Sequence, residues 1–230
     1  MALAHSPKII TDGLVLCLDA GNTKSYPGSG TTWTDLSGNG NNGTLVNGVG
    51  YNGSNLGSLS FDGSNDYGSV TTGIPDTGDF TVGFIYQLTG TGRGGLFERK
   101  PSLPYNGFSL GQGGTGNWSF TVSGTSDFSA NRIRMSFQYP TINTWYFDVG
   151  VYSNGNTVTG YRNGQFVDSG TGQSQGNLST QGTRTNFLIA NRDNITSLPC
   201  KVAQVFIYNK ALTASEIQQN FNALRGRFSI

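Results

Sequence analysis

The chain has 230 residues, enough for one large β domain, and a single domain is the expectation. Its 14 Lys and Arg are matched by 13 Asp and Glu, so no net field exists to draw in nucleic acid or an anionic membrane. An aromatic content of 12% argues against a disordered chain, and no apolar run approaches the roughly 18 to 20 residues that span a bilayer.

Residues 1–12 read as an N-terminal segment and 13–230 as the domain. Residues 1–8 lack an apolar core preceded by a basic region, so no cleavable export signal is expected. From residue 13 onward, short apolar or alternating runs recur between turn signals, the pattern of an antiparallel sandwich or barrel. Residues 13–19 (GLVLCLD) open the series. The polar stretches 21–32, 37–55 and 170–185 are expected to be surface loops. Strand candidates 57–61 and 66–70 flank the turn Asp62-Gly63-Ser64-Asn65. In 80–88, Phe80, Val82, Phe84, Tyr86 and Leu88 alternate with Thr81, Gly83, Ile85 and Gln87, which predicts a strand with one well-buried face. The pattern continues at 95–99, 107–110, 118–123, 133–139, 145–152, 158–163, 165–169, 186–190 and 201–208. Asn163-Gly164 supplies the two positive φ angles of a type I′ hairpin turn. No fixed-period repeat is present.

One helix is predicted after residue 212. Thr213 can cap it while Glu216, three residues on, returns a bond to the Thr213 amide, and Leu212 and Ile217 have the spacing of a hydrophobic staple. Ile217, Phe221 and Leu224 form a stripe expected to pack on the sandwich. Gly226 is placed to end the helix, and Arg225 and Arg227 suit its C-terminal end.

The composition narrows the chemistry. Glu98 and Glu216 are the only glutamates, and most of the aspartates sit beside Gly, Asn, Ser or Thr, where Asp makes turns. Glycoside hydrolysis normally needs two carboxylates flanking the scissile bond. Glu98 has no acidic neighbour in sequence, and Glu216 is better used as a cap. With His5 the single histidine, no His-based triad or His-rich zinc site can be assembled, and no catalytic residue is assigned. Cys17 and Cys200 each lie in or beside a strand-like run. They are read as two buried thiols, with a disulfide open if the two runs pair.

Seven motifs in order resemble the laminin G-like, concanavalin A-like lectin/glucanase superfamily, in the variety common in bacteriophage structural proteins and bacterial surface proteins. They are GLVLCLDAGN (13–22), SYPG (25–28), WTDLSGNGNNGTL (33–45), FDGSNDY (61–67), NTWY (143–146), YRNG (161–164) and AQVFIYNKALTASEI (203–217). The resemblance covers nearly the whole chain. It implies an all-β jelly-roll sandwich of two antiparallel sheets with one short C-terminal α-helix, and with the first and last strands close together. Trp33 and Leu36 are expected to pin the N-terminal loop, Phe61 and Tyr67 to pack inward, Trp145 to start a central strand, and Tyr208 to anchor the strand before the helix. The Glu-x-Asp-x-x-Glu strand of glucanases that resemble this fold is missing here.

The same resemblance implies binding. Lectin activity in the family often depends on calcium held by hard oxygen ligands. Asp19, Asn22, Asp35, Asn39 and Asn41 carry such oxygens, with turn-making as the competing role; no other cofactor is called for. Sugars are gripped by aromatic platforms with amide, carboxylate or guanidinium groups nearby. Tyr105, Asn106, Trp118, Arg134, Tyr139, Tyr161 and Arg192 have the right chemistry, with core packing as the alternative for each. The reading that follows is a non-enzymatic virion structural protein, as a capsid decoration, head fibre or tail adhesin, assembled in the host cytoplasm and displayed on a phage particle. Its expected partners are other virion proteins of capsid or tail and cell-surface glycans, with no nucleic acid, no membrane insertion, and a homo-oligomer left open. The alternative is a bacterial cell-surface carbohydrate-binding module. A third reading, an enzyme drawing a carboxylate pair from the aspartates, predicts turnover of a polysaccharide.

Overall fold

Runs of β-branched and aromatic residues cut by Gly and Asn dominate the chain, and such runs favour pleated, half-buried strands between turns. The computed structural model describes residues 7–54, 57–71, 78–92, 94–99, 107–112, 117–123, 132–172, 186–192 and 196–230. Its first strands are β1 (Leu14–Asp19), β2 (Thr32–Trp33), β3 (Gly43–Val46), β4 (Gly50–Asn52), β5 (Ser58–Phe61) and β6 (Tyr67–Val70). The middle of the chain forms β7 (Phe80–Leu88), β8 (Gly95–Arg99), β9 (Gly107–Gln112), β10 (Trp118–Ser123), β11 (Arg132–Phe137) and β12 (Trp145–Ser153). There follow β13 (Thr157–Arg162), β14 (Gln165–Thr171), β15 (Phe187–Ile189), β16 (Asn191–Arg192), β17 (Thr196–Ser197) and β18 (Cys200–Tyr208), and then helix α1 (Ala214–Leu224).

Two antiparallel sheets face each other. The first runs β14-β13-β12-β7-β18-β5-β4 and the second β11-β10-β9-β8-β15-β6-β3-β2. One edge of β18 is lined throughout by β7; the other is shared end to end by β5, opposite Cys200–Val202, and β1, opposite residues 204–208. The first and last strands are therefore paired, and α1 follows directly on the sheet. Asn163 and Gly164 turn β13 into β14 with φ of 51° and 78°, the angles of the expected hairpin.

The strand predictions hold along most of the chain, and two expectations are corrected. Residues 37–55, expected to be loop, contain β3 and β4. Leu45 is buried in the core there, and β6 and β5 supply the pairing; too few apolar residues surround it to show period two. Similarly, β14 continues through residues 170–171, while 173–185 lie outside the described residues. The second correction concerns β7, which is buried on both faces. Phe80, Val82, Phe84, Tyr86 and Leu88 enter the core between the sheets. Ile85 faces a second cluster made with Trp145, Phe147, Phe206 and the α1 residues Ile217, Phe221 and Leu224. The helix covers the face that alternation alone assigns to solvent.

Helix α1 begins as its sequence predicts. Thr213 Oγ1 accepts the Glu216 N–H at 3.3 Å, and the Thr213 N–H donates to Glu216 Oε2 at 2.8 Å. It stops at Leu224 by tightening into a 3₁₀ turn, Arg225–Arg227, so Gly226 does not act as a left-handed cap. Asn220, also buried, accepts the Ile10 N–H and donates to Tyr208 OH, whose proton goes to the Ile10 carbonyl. Tyr208 thus anchors the last strand, the helix and the segment preceding β1. Trp33 and Phe61 are buried and Tyr67 is half-buried.

β1 and β18 do pair, yet Cys17 stands opposite Phe206, and Cys200 stands opposite Phe61 and Leu88. Both thiols are free and buried. Burial, helped by Asp19 and Asp35, pushes Cys17 up to about 12, and burial raises Cys200 as well, so both remain protonated at neutral pH.

Candidate functional site

An acidic residue in the middle of an apolar strand needs partners, because an uncompensated buried charge is costly. Asp148 is such a residue, fully buried in β12 with Phe84 of β7 on one side and Arg162 of β13 on the other. Arg162 grips it with two bonds, Nε to Oδ1 and Nη2 to Oδ2, both 2.7 Å. Tyr86 OH donates to Oδ2 at 2.7 Å, and the Trp118 Nε1–H donates to the same oxygen at 3.2 Å. The remaining guanidinium bonds run from Nη1 to the Gln138 carbonyl at 2.7 Å and from Nη2 to Tyr86 OH at 3.5 Å.

Aromatic rings build a wall around this pair. Tyr86 stacks on Trp118 with ring centroids 5.5 Å apart, Trp118 meets Tyr139 edge to face at 5.8 Å, and Tyr86 lies 6.1 Å from Tyr146. The rings therefore run Tyr139–Trp118–Tyr86–Tyr146. The inner two are fully buried and the outer two are partly exposed. The Arg162 guanidinium lies 4.5 Å from the Tyr146 ring centroid and 5.1 Å from that of Phe137, within the range of cation–π attraction.

The neighbours of Arg162 and Tyr86 set their protonation. Burial works against the Arg162 cation, but the hydrogen bonds and negative charge of Asp148 outweigh it and lift the guanidinium above its already high value. Burial, and then the Asp148 charge, holds the Tyr86 hydroxyl well above its ordinary range. A neutral phenol and a guanidinium thus persist across ordinary pH. Chemically the site offers the partly exposed ring surface of Tyr139 and Tyr146, backed by an ion pair.

Of the residues singled out from sequence, Trp118 and Tyr139 come together here, with Trp118 as buried floor. Arg134 lies on the other face of the second sheet, in a cross-strand row with Thr121, Ser109 and Glu98. Tyr161 faces the helix side, packed against the second cluster and 6.1 Å from the ring of Phe166. Tyr105 and Asn106 lie outside the described residues, as does the side chain of Arg192. Sequence reasoning missed Tyr86, Tyr146, Asp148 and Arg162. Asp148 carried a signal, a carboxylate inside the apolar run 145–152.

The five loop residues with calcium-type oxygens act on the backbone around them. Asp19 meets Arg227 at 2.8 and 3.0 Å and accepts from Gln204 Nε2 at 2.6 Å and from the Gly21 N–H. Asp35 accepts the N–H groups of Cys17, Ser37 and Asn41 and the Ser37 hydroxyl. Asn22 Oδ1 accepts the Lys24 N–H, while Asn39 and Asn41 donate to the Leu14 and Val15 carbonyls. A guanidinium already neutralises Asp19, and the Asp35 oxygens face donors, so these side chains as arranged do not fit a calcium ion. Among the described residues no group of three or more His, Cys, Asp or Glu gathers at one point.

Comparison with known proteins agrees with this architecture. The binding domain of botulinum neurotoxin DC, solved in complex with rat synaptotagmin II, superposes with a TM-score of 0.69 at 17% identity, over 94% of this chain and 52% of that one. The binding domain of Paraclostridial Mosquitocidal Protein 1 gives 0.69 at 18% identity, over 93% and 52%. Botulinum neurotoxin type C, whose uptake into cells is dependent upon interaction with two ganglioside molecules, gives 0.69 at 17%, over 94% and 52%. The chain spans about half the length of these solved chains, and at such identities the likeness concerns the fold. No curated protein sequence matches. The laminin G-like model described as the concanavalin A-like lectin/glucanases superfamily matches residues 62–218, and the chain belongs to that superfamily.

Proposed function

We propose that the chain is a non-enzymatic recognition domain that binds glycans on the partly exposed rings of Tyr139 and Tyr146, backed by the buried rings of Trp118 and Tyr86 and by Arg162. The observation that carries this reading is the run of four rings with partly exposed ends, held rigid by the buried Asp148–Arg162 pair. Pre-ordered aromatic surface offers the C–H face of a sugar ring contact area with little loss of side-chain freedom. Support also comes from the solved relative that interacts with gangliosides, whose headgroups are glycans.

The non-enzymatic part is supported by how the glutamates are used. Glu216 closes the helix cap and meets Lys210 at 2.9 Å, and Glu98 is buried on the far face of the second sheet. Asp148 spends both oxygens on donors. Calcium has no part in this reading, since Arg227 supplies the cation for Asp19. The setting we favour is the surface of a phage particle, on the strength of the seven-motif resemblance; many copies on a symmetric shell would make weak sugar contacts useful. The toxin binding domains favour the second reading, a bacterial carbohydrate-binding module.

A glycan array followed by calorimetry tests the binding. Retention of defined oligosaccharides, unchanged by EDTA and reduced about tenfold or more by Tyr146→Ala, is the expected result. Absence of binding to every glycan removes the proposal. The setting is tested separately by looking for the protein in purified particles.

A further inference from the structure

We infer that this aromatic site selects uncharged sugars over sialylated or sulfated ones, an inference that rests on the glycan-binding reading above. Arginine beside aromatic rings would ordinarily suggest capture of an acidic group. Here the guanidinium is committed elsewhere. Four of its five N–H donors are used by the Asp148 carboxylate, the Gln138 carbonyl and Tyr86 OH. The Arg162 side chain is 14% exposed and that of Asp148 0%. Turning the fork toward a ligand carboxylate or sulfate would leave Asp148 in the core with only Tyr86 and Trp118 as donors and no counterion, which opposes the exchange.

The surroundings reinforce this. Arg162 at +1 and Asp148 at −1 sum to zero, so the ion pair presents no net charge to a ligand. Among the described residues, Tyr139 and Tyr146 put partly exposed rings near it, and the π faces of such rings carry negative potential that disfavours an anion stripped of water. What remains attractive is the polarised C–H face of a neutral ring, with Arg162 Nη1 holding the one guanidinium N–H left for a hydroxyl.

The test uses the full chain and an array that prints each neutral oligosaccharide beside its sialylated and sulfated counterparts. The expected result is that neutral members bind about tenfold tighter than their acidic partners. Affinity should change less than about twofold between roughly 50 and 500 mM salt, because no net charge is being matched. Asp148→Asn, which releases the positive charge of Arg162, should move the preference toward the acidic members. If that variant does not fold, the parent protein's pairs decide alone. Tighter binding of acidic members by the parent, or a steep loss with salt, overturns the inference and leaves the glycan-binding reading standing. A protein that retains no glycan at all overturns the glycan-binding reading instead, and the two failures are told apart by whether any sugar is held.

Discussion

Asp148 and Arg162 show how a charge is kept inside a β sandwich. The carboxylate accepts four hydrogen bonds, from Arg162 twice, Tyr86 and Trp118, and removing it would leave the guanidinium buried without its counterion. Asp148→Ala should cost about 3 to 5 kcal/mol of stability, read as a fall in the urea midpoint, and a loss below about 1 kcal/mol would contradict this account of the pair. Asp66 is a different case. Its two oxygens accept the Asp62 N–H at 3.0 and 2.9 Å inside the β5–β6 turn. Burial first, with the neighbouring Asp62 carboxyl adding to it, pushes Asp66 from 3.8 to about 6. A carboxyl whose folded value lies above its unfolded one contributes stability that is fully present below about pH 4 and is lost as pH rises through about 6. Asp66→Asn keeps an acceptor without the charge. It should therefore raise stability at pH 8 by about 1 kcal/mol and have little effect at pH 4. Equal effects at the two pH values, followed by denaturation, would show that the turn does not depend on this proton.

Elements in this chain were legible wherever the signal is local. The Thr213–Glu216 capping box and the Asn163-Gly164 turn each depend on residues a few positions apart, and each stands in the structure, while the alternation of β7 holds for the face that enters the core between the sheets. Thr213→Ala removes the acceptor for the Glu216 N–H and should cost about 1 kcal/mol, largely restored by Thr213→Ser. What did not show in sequence depends on distant elements. The second buried face of β7 exists because α1, more than 120 residues later, lies across it. The aromatic site likewise takes one residue from each of β7, β10, β13 and the segment after β11, and two from β12. No window of sequence contains them all, and only Asp148 betrays its place by violating the apolar pattern around it. Contacts between sheets are equally invisible. Gly150 of β12 reads as a weak strand residue, yet a Cβ there would sit 2.5 Å from the Phe120 ring of the facing sheet. Gly150→Ala should cost about 1 to 3 kcal/mol through overpacking. Phe120→Leu in the same chain should recover part of that loss, and additive losses would indicate that the two positions do not meet.

At the scale of the whole molecule, the two apolar clusters share their supporting strands. Phe84 of β7 faces the core between the sheets while Ile85 faces the helix, and Val205 and Phe206 of β18 divide in the same way. A strand buried on both faces cannot loosen on one side without giving up packing on the other. The chain ends add a second tie: β1 pairs along β18, and Arg227, beyond the helix, grips Asp19 at the end of β1. These couplings predict that the helix layer and the sandwich unfold together, although chains of this length often break into separate steps. The three tryptophans report on both layers, since Trp33 and Trp118 lie between the sheets and Trp145 lies under the helix beside Phe228, with ring centroids 4.9 Å apart. A protein carrying Trp33→Phe and Trp118→Phe leaves Trp145 as its only indole, so its fluorescence follows the helix layer alone. Its urea transition should coincide with loss of the far-ultraviolet β signal. An earlier Trp145 transition would mean that the helix lifts off a sandwich that stays folded, and the shared strands would then not transmit the packing between layers.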